Sequence, residues 1–97
     1  GGATVRLRDP MAPEKARGMI DGLGGRDNIV KVDAVAETRL RVKVKDTSVV
    51  DEDVLKSAGI TGLVVLGEGM LHLIAGLNAD QYAAEMRGQL ARVPAPV

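Results

Sequence analysis

Two arginines on one predicted strand are the residues of this 97-residue sequence best suited to chemistry. Arg39 and Arg41 are separated by one residue, so both side chains project from the same face of an extended chain. Two planar guanidinium groups side by side can bind a phosphate or a carboxylate through paired hydrogen bonds. A solvated strand face or an intramolecular salt bridge would use the same spacing, so the spacing alone leaves these alternatives open.

The sequence offers few other candidates for chemistry. It contains no cysteine, which excludes disulfides, thiolate zinc sites and cysteine nucleophiles. The single histidine, His72, lies in the middle of a predicted strand, where a neutral surface histidine is more common than a functional one. Gly67 and Gly69 precede a strand rather than a helix, which is typical of a turn and not of a phosphate loop. We therefore expect no metal ion and no cofactor.

The composition is that of one small globular domain. Hydrophobic residues make up 45% of the chain and charged residues 27%, and a mass of 10.2 kDa allows a single modest core. Thirteen basic residues balance thirteen acidic ones, and Tyr82 is the one aromatic residue, which argues against nucleic-acid binding. No apolar run approaches the roughly 18 residues of a membrane span, so we expect no direct membrane insertion.

Hydrophobic periodicity predicts three helices and four strands. The helices are expected at 13–23, at 51–58 and from about residue 78, and the strands at 28–36, 39–45, 63–66 and 70–75. The order α-β-β-α-β-β-α predicts an α+β fold, in which a four-stranded antiparallel sheet carries all three helices on one face. The cationic side of the second strand, with Arg39, Arg41 and Lys43, would then look away from the helices.

Local patterns add finer expectations. Strand alternation predicts a core that includes Leu40, Val42, Val44, Val64, Leu66, Leu71 and Leu73. Residues 67–69 are expected to form a three-residue hairpin loop, and Asn78 with Gln81 a capping box. We expect the domain to span residues 13–92. Residues 1–12 are interpreted as a leader or linker that contains a short strand at 4–8, and the proline-containing residues 93–97 as a linker stub.

Taken together, these motifs resemble the B domain of the glucose and N-acetylglucosamine class of the bacterial sugar phosphotransferase system. The resemblance covers roughly residues 15–90 and its most specific part is Thr38-Arg39-Leu40-Arg41-Val42. Further matching stretches follow in order: residues 18–25, Asn28-Ile29, Lys45-Asp46, residues 59–67 and Ile74-x-Gly76. The resemblance implies the same α+β fold and a phosphocarrier function. In that family a cysteine at the end of the first strand accepts phosphate from an A domain and passes it to sugar bound by the membrane C domain.

The chain departs from this family at the nucleophile itself. Counting forward from Asn28 places the expected phosphocysteine at Val35, and counting back from Thr38 places it at Ala36. Neither side chain can hold a phosphate, and the two counts differ by one residue. The fourth strand also looks one residue longer than usual, so we expect a matched pair of bulges beside the site.

The resemblance also implies partners and a location. The arginines of the Thr-Arg-x-Arg motif lie beside the cysteine in that family, so the expected phosphate or partner contacts are Thr38, Arg39 and Arg41, with His72 as a further candidate. The expected partners are an A domain of the same system and the membrane C domain, on the same or a partner chain. The expected location is cytoplasmic, tethered to the inner face of the bacterial membrane within a larger protein.

Several functional hypotheses stay open on the sequence. The chain is a natural degenerate copy, an engineered cysteine replacement or a repurposed binding module, and we favour the degenerate copy, acting in protein–protein interaction or regulation of sugar uptake. The alternative is an active phosphocarrier that uses another residue, His72 or Asp33, or a cysteine that has been lost. A structural spacer is a third reading. The family activity is protein-N(pi)-phosphohistidine–sugar phosphotransferase. Only the active-phosphocarrier hypothesis gives this activity to the chain.

Overall fold

The structure is a computed structural model that describes residues 7–92. Its elements are α1 (Ala12–Gly22), β1 (Ile29–Val35), β2 (Arg39–Val44), α2 (Glu52–Ser57), β3 (Gly62–Gly67), β4 (Met70–Ile74) and α3 (Ala79–Ala91), with short 3-10 turns at Arg26–Asn28 and Thr47–Val49. This order confirms the predicted α+β fold. The predicted linker stub and most of the predicted strand at 4–8 lie outside the described residues.

The four strands form one antiparallel sheet in the order β1-β2-β4-β3. One face of the central strands is buried: Leu40, Val42, Val44, Leu71 and Leu73 are each at most 2% exposed. The α3 helix packs against β1 and β2, and α1 packs against both α3 and α2. We call the opposite side of the sheet, which carries Arg39, Arg41 and Lys43, the open face. The core of the domain therefore lies between the sheet and the helices.

The helix predictions hold in their main features. The faces of α1 and α3 that point toward the core are buried; the buried residues there, with the one that follows α1, are Ala16, Met19, Ile20, Leu23, Tyr82 and Met86. Pro13 lies in the first turn of α1, where its missing N–H costs no hydrogen bond. The Asp51 carboxylate caps α2 by accepting hydrogen bonds from the backbone N–H groups of Asp53 and Val54, at 3.0 and 3.2 Å.

The predicted core is wrong on β3. Val64 is 40% exposed and Leu66 is 52% exposed. Val64 pairs with His72, so its side chain lies on the open face, and β3 is an edge strand that the helices do not cover. The β3 residue that packs against the core is Leu63. An unbroken apolar run such as 63–66 contains no alternation from which the buried face could be read.

Two local predictions are also wrong. Gly67 pairs with Met70, so the β3–β4 loop has two residues, Glu68 and Gly69. Both have positive φ angles, 55° and 81°, as a type I′ turn requires. Asn78 makes no side-chain cap bond to α3, and so the predicted capping box is absent.

The Gln81 side chain, expected in that capping box, binds the backbone of Asp9 instead. It accepts from the Asp9 N–H and donates to the Asp9 carbonyl, both at 2.9 Å. The Asp9 carboxylate in turn accepts hydrogen bonds from Lys15 Nζ, at 2.7 Å, and from the Tyr82 hydroxyl. These bonds, with that of the Met11 N–H, lower the pKa of Asp9 from 3.8 to about 2. Asp9 falls within the predicted leader, yet it ties that segment to α1 and α3.

Candidate functional site

The sheet brings three of the predicted site residues together on the open face. Arg41 lies directly opposite Asp33 on β1 and opposite His72 on β4. Side chains that are directly opposite in an antiparallel pair lie on the same face of the sheet. Asp33, Arg41 and His72 therefore form one row across three strands. The burial of Leu71 and Leu73 confirms that His72 points away from the core, as its position in the strand predicted.

A second row lies next to the first, at the end of the strands. Arg39 lies opposite Val35 on β1 and opposite Ile74 on β4. Arg39 is half-buried, whereas Arg41 is exposed. The two guanidinium groups therefore occupy adjacent rows of the open face, as their spacing in the sequence predicted.

Neither arginine has a partner among residues 7–92, whereas the neighbouring cations do. The side chains of Arg39 and Arg41 make no hydrogen bond or ion pair in that range, which removes the intramolecular salt bridge as an explanation of their spacing. By contrast, Lys43 Nζ donates to the Glu68 carbonyl, and Lys31 Nζ lies 3.6 Å from an Asp33 carboxylate oxygen. The two guanidinium groups remain available to an external anion.

A depression of about 670 Å³ lies on the β1 side of these arginines. Its lining residues come from β1, β2 and the start of β4: Val30, Lys31, Asp33, Ala34, Val35, Arg41, Lys43 and Met70. The lining combines apolar side chains with three cations and one carboxylate, which suits an acidic partner better than a neutral one. The sequence did not predict that Val30 lines this depression. Val30 lies at the register irregularity between Ile29 and Lys31 and is 57% exposed, so the alternation of the strand does not indicate which face it occupies.

The loop between β1 and β2 holds the positions expected for the nucleophile. Val35 ends β1 opposite Arg39, and Ala36 begins a three-residue loop. Ala36 and Glu37 both have left-handed backbone conformations, with φ angles of 51° and 66°. Each such residue with a β-carbon costs about 1–2 kcal/mol. Strain of this kind is concentrated here, beside the unpartnered arginines.

Thr38 fixes this strained loop to the neighbouring strand. Its carbonyl accepts hydrogen bonds from the N–H groups of Ala75 and Gly76, at 2.8 and 3.1 Å, and its own N–H donates to the Ala36 carbonyl at 2.7 Å. The contact made by Thr38 within the domain is thus a backbone contact to the end of β4. Its role toward a phosphate or partner stays a prediction, as do the alternative nucleophile positions Val35 and Ala36.

The predicted pair of bulges beside the site is wrong. The register is regular where Lys31–Val35 pairs with β2 and where β2 pairs with β4. The two irregularities lie between Ile29 and Lys31 and between Val65 and Gly67, at the opposite end of the strands. The three-residue loop is the remaining place beside the site where an added residue could be accommodated.

Two further observations on the described residues concern membrane spans and metal sites. No helix between residues 7 and 92 has the length and apolar character needed to cross a bilayer. Within the same residues, no group of three His, Asp or Glu side chains lies close enough together to hold a metal ion.

Comparison with known proteins places this geometry in a family. Residues 17–51 match the family described as phosphotransferase system, EIIB. The chain is 46% identical over 69 residues to the PTS system N-acetylglucosamine-specific EIICB component of Bacillus subtilis, which covers 71% of this chain and 15% of that protein. It is 40% identical over 76 residues to the PTS system N-acetylglucosamine-specific EIIB component of Streptomyces coelicolor, covering 78% of this chain and 96% of that protein.

A solved structure shares the fold. The crystal structure of one domain of the PTS system IIabc component from Clostridium difficile superposes with a TM-score of 0.68 at 18% identity, covering 93% of this chain and all of that one. The similarity extends over nearly the whole length of the Streptomyces protein, which carries the family assignment. The chain therefore belongs to the phosphotransferase system EIIB family, the B domains of sugar phosphotransferase-system transporters.

Proposed function

We propose that this chain is a B domain of the N-acetylglucosamine and glucose type that carries no phosphate itself and acts in protein–protein interaction or regulation of sugar uptake. The observation that supports this most strongly is the pair of unpartnered guanidinium groups, Arg39 and Arg41, beside a loop that has no cysteine. A phosphoryl group must be bonded to a side-chain oxygen, nitrogen or sulfur. The alkyl side chains of Val35 and Ala36 offer none of these.

The charge of the open face indicates the kind of partner. Lys31, Arg39, Arg41 and Lys43 outnumber the one carboxylate among them, that of Asp33. A surface of this sign attracts an acidic protein surface, and its exposed charges make the contact sensitive to salt. The partner we propose is an A domain of the same system, most readily in its phosphorylated form.

The proposal extends to the surrounding protein. Similar proteins named EIICB join B and C components in one chain, as in the Bacillus relative. We accordingly place this domain, with its boundaries at 13–92, on the cytoplasmic side of the bacterial membrane, in contact with a membrane C domain on the same or a partner chain. Residues 1–12, of which Asp9 is hydrogen-bonded to α1 and α3, and residues 93–97 would serve as connections to that larger protein.

One observation favours the alternative, an active phosphocarrier. Arg41 lies between two side chains that can accept a phosphoryl group, Asp33 and His72. In this alternative the P–N bond of a donor phosphohistidine breaks, and a new P–N bond to the His72 imidazole or P–O bond to the Asp33 carboxylate forms. Arg41 would offset the added negative charge in either case.

Intact-mass spectrometry separates the two functions. The domain is incubated with phosphoenolpyruvate, the general phosphotransferase proteins and a cognate A domain, and we expect its mass to stay unchanged. Addition of one phosphoryl group would refute the proposal and support the alternative. Loss of that addition in His72→Gln or in Asp33→Asn would then identify the acceptor.

A cysteine variant provides the positive control for the same assay. Val35 shares a row of the open face with Arg39, whereas Ala36 lies in the loop, so Val35→Cys should gain a phosphoryl group more readily than Ala36→Cys. A thiolate in this place has the nucleophilicity that the natural residues lack. If neither variant gained phosphate, the expected nucleophile position would be wrong.

A further inference from the structure

The two edges of the sheet differ in how well they are protected. At the β1 edge, Arg87 Nη1 donates to the Val32 carbonyl at 2.9 Å and lies 3.7 Å from an Asp33 carboxylate oxygen. Lys31 adds a further charge, and the irregularity between Ile29 and Lys31 breaks the line of the strand. Charges, bulges and covering side chains are the devices that keep edge strands from pairing with other chains.

The β3 edge has much weaker protection. Its six residues, Gly62–Gly67, include no charge and no proline. Val64, Val65 and Leu66 are 40%, 61% and 52% exposed. The one irregularity, between Val65 and Gly67, leaves the run from Gly62 to Val65 regular. An apolar edge strand with outward-pointing backbone N–H and C=O groups is a template for a further strand.

We propose that β3 pairs antiparallel with β3 of a second copy of this chain, which joins two four-stranded sheets into one. A two-fold axis perpendicular to the sheet at Val64 sets Val64 opposite Val64 of the second copy and Leu63 opposite Val65, all within the regular part of the strand. Aliphatic side chains therefore meet aliphatic side chains on both faces. The contact uses the same strand on each copy, so it closes as a dimer and does not propagate into a fibre.

Charge favours a second copy over a charged peptide as the occupant of this edge. The β3 strand offers a charged peptide no group of opposite sign. In the two-fold pair, the two Glu68 side chains lie at opposite ends, about 25 Å apart along the strand direction. That distance exceeds the screening length of about 8 Å at physiological salt, so they do not oppose pairing. The formal net charge of the chain is +0, which removes long-range repulsion between copies.

Sedimentation equilibrium of the 97-residue chain between about 10 µM and about 1 mM tests the proposal. The average mass should rise with concentration from 10.2 kDa toward twice that value, with a dissociation constant of about 0.1 mM, as a small interface allows. Val64→Lys and Val65→Lys should each raise the dissociation constant at least about tenfold, because each places two like charges close to the axis.

The matched control is Val30→Lys, an equally exposed valine on the other edge, which should leave dimerisation unchanged. Circular dichroism at each concentration verifies that all three variants fold. A mass of 10.2 kDa at every concentration would overturn the proposal, as would a dimer that survives both β3 variants. Equal weakening by Val30→Lys, or growth beyond the dimer, would indicate β1–β3 pairing and would also overturn it.

Discussion

The two faces of β2 differ in composition: one is apolar and the other is cationic. Leu40, Val42 and Val44 are buried against the helices, whereas Arg39 and Arg41 lie on the open face without a partner among residues 7–92. The first face stabilises the domain through burial of apolar area. The second contributes no ion pair to the fold, which supports the proposal that it recognises a partner outside the domain. Substitutions on the two faces should accordingly affect different measurements.

The largest effect is expected on the covered face. Leu40 is fully buried, so Leu40→Ala should lower the free energy of unfolding by about 2–5 kcal/mol through lost apolar contact and the cavity left behind. Urea denaturation followed by circular dichroism measures it. A loss within about 0.5 kcal/mol, the usual range for surface positions, would mean that Leu40 is not a core residue.

The next effect concerns the helix layer and depends on pH. The hydrogen bonds from Lys15, Tyr82 and Met11 lower the pKa of Asp9 to about 2 in the folded chain, so folding favours its ionised form. The stabilisation is present above the ordinary pKa of 3.8 and is lost as the pH falls through about 2. The stability difference between the wild type and Asp9→Asn, from denaturation at pH values across that range, should therefore shrink as the pH falls. A difference that does not change with pH would contradict the assigned contacts of Asp9.

A smaller effect is expected in the loop at the end of the open face. Ala36 has a φ angle of 51°, which glycine adopts freely, so Ala36→Gly should stabilise the domain by about 0.5–1 kcal/mol. The matched control is Ala34→Gly, the same change in β1, which should destabilise by a similar amount because the strand is extended there. Thermal unfolding of both variants provides the comparison, and the same sign for both would exclude a strained loop.

How much of this organisation the sequence predicts depends on the local pattern. Strict alternation in β2 identified both of its faces correctly. The run 63–66 has no alternation, and the exposure of Val64 follows from the position of β3 at the sheet edge, which only the complete sheet reveals. The Asn78–Gln81 pattern suggested a cap, but Gln81 binds Asp9, which lies 72 residues away in the chain.

The sequence predicts part of the candidate site but not all of it. The spacing of Arg39 and Arg41 was sufficient to place them on one face. The row of Asp33, Arg41 and His72 could not be predicted from spacing, because it depends on the register of three strands. The left-handed backbone of Ala36 and Glu37 carries no sequence signal, since neither residue is glycine or asparagine.

The smallest effect on stability is expected on the open face. Arg41→Gln should change the free energy of unfolding by less than about 0.5 kcal/mol, because the side chain is exposed and makes no contact that the fold needs. Denaturation in urea beside Leu40→Ala gives the comparison directly. A loss above about 1 kcal/mol would assign Arg41 a structural role and weaken the case for recognition.

An NMR titration of the isotope-labelled domain with a cognate A domain tests the central claim most directly. Shifts should cluster on the open face around Arg39 and Arg41 and should weaken at high salt. The double variant Arg39→Gln/Arg41→Gln should lose binding while its spectrum shows an intact fold, and lysine at both positions should restore only part of it, because an ammonium group lacks the planar fork of arginine. Shifts that cluster on the helices, or no shifts at any salt concentration, would contradict the account.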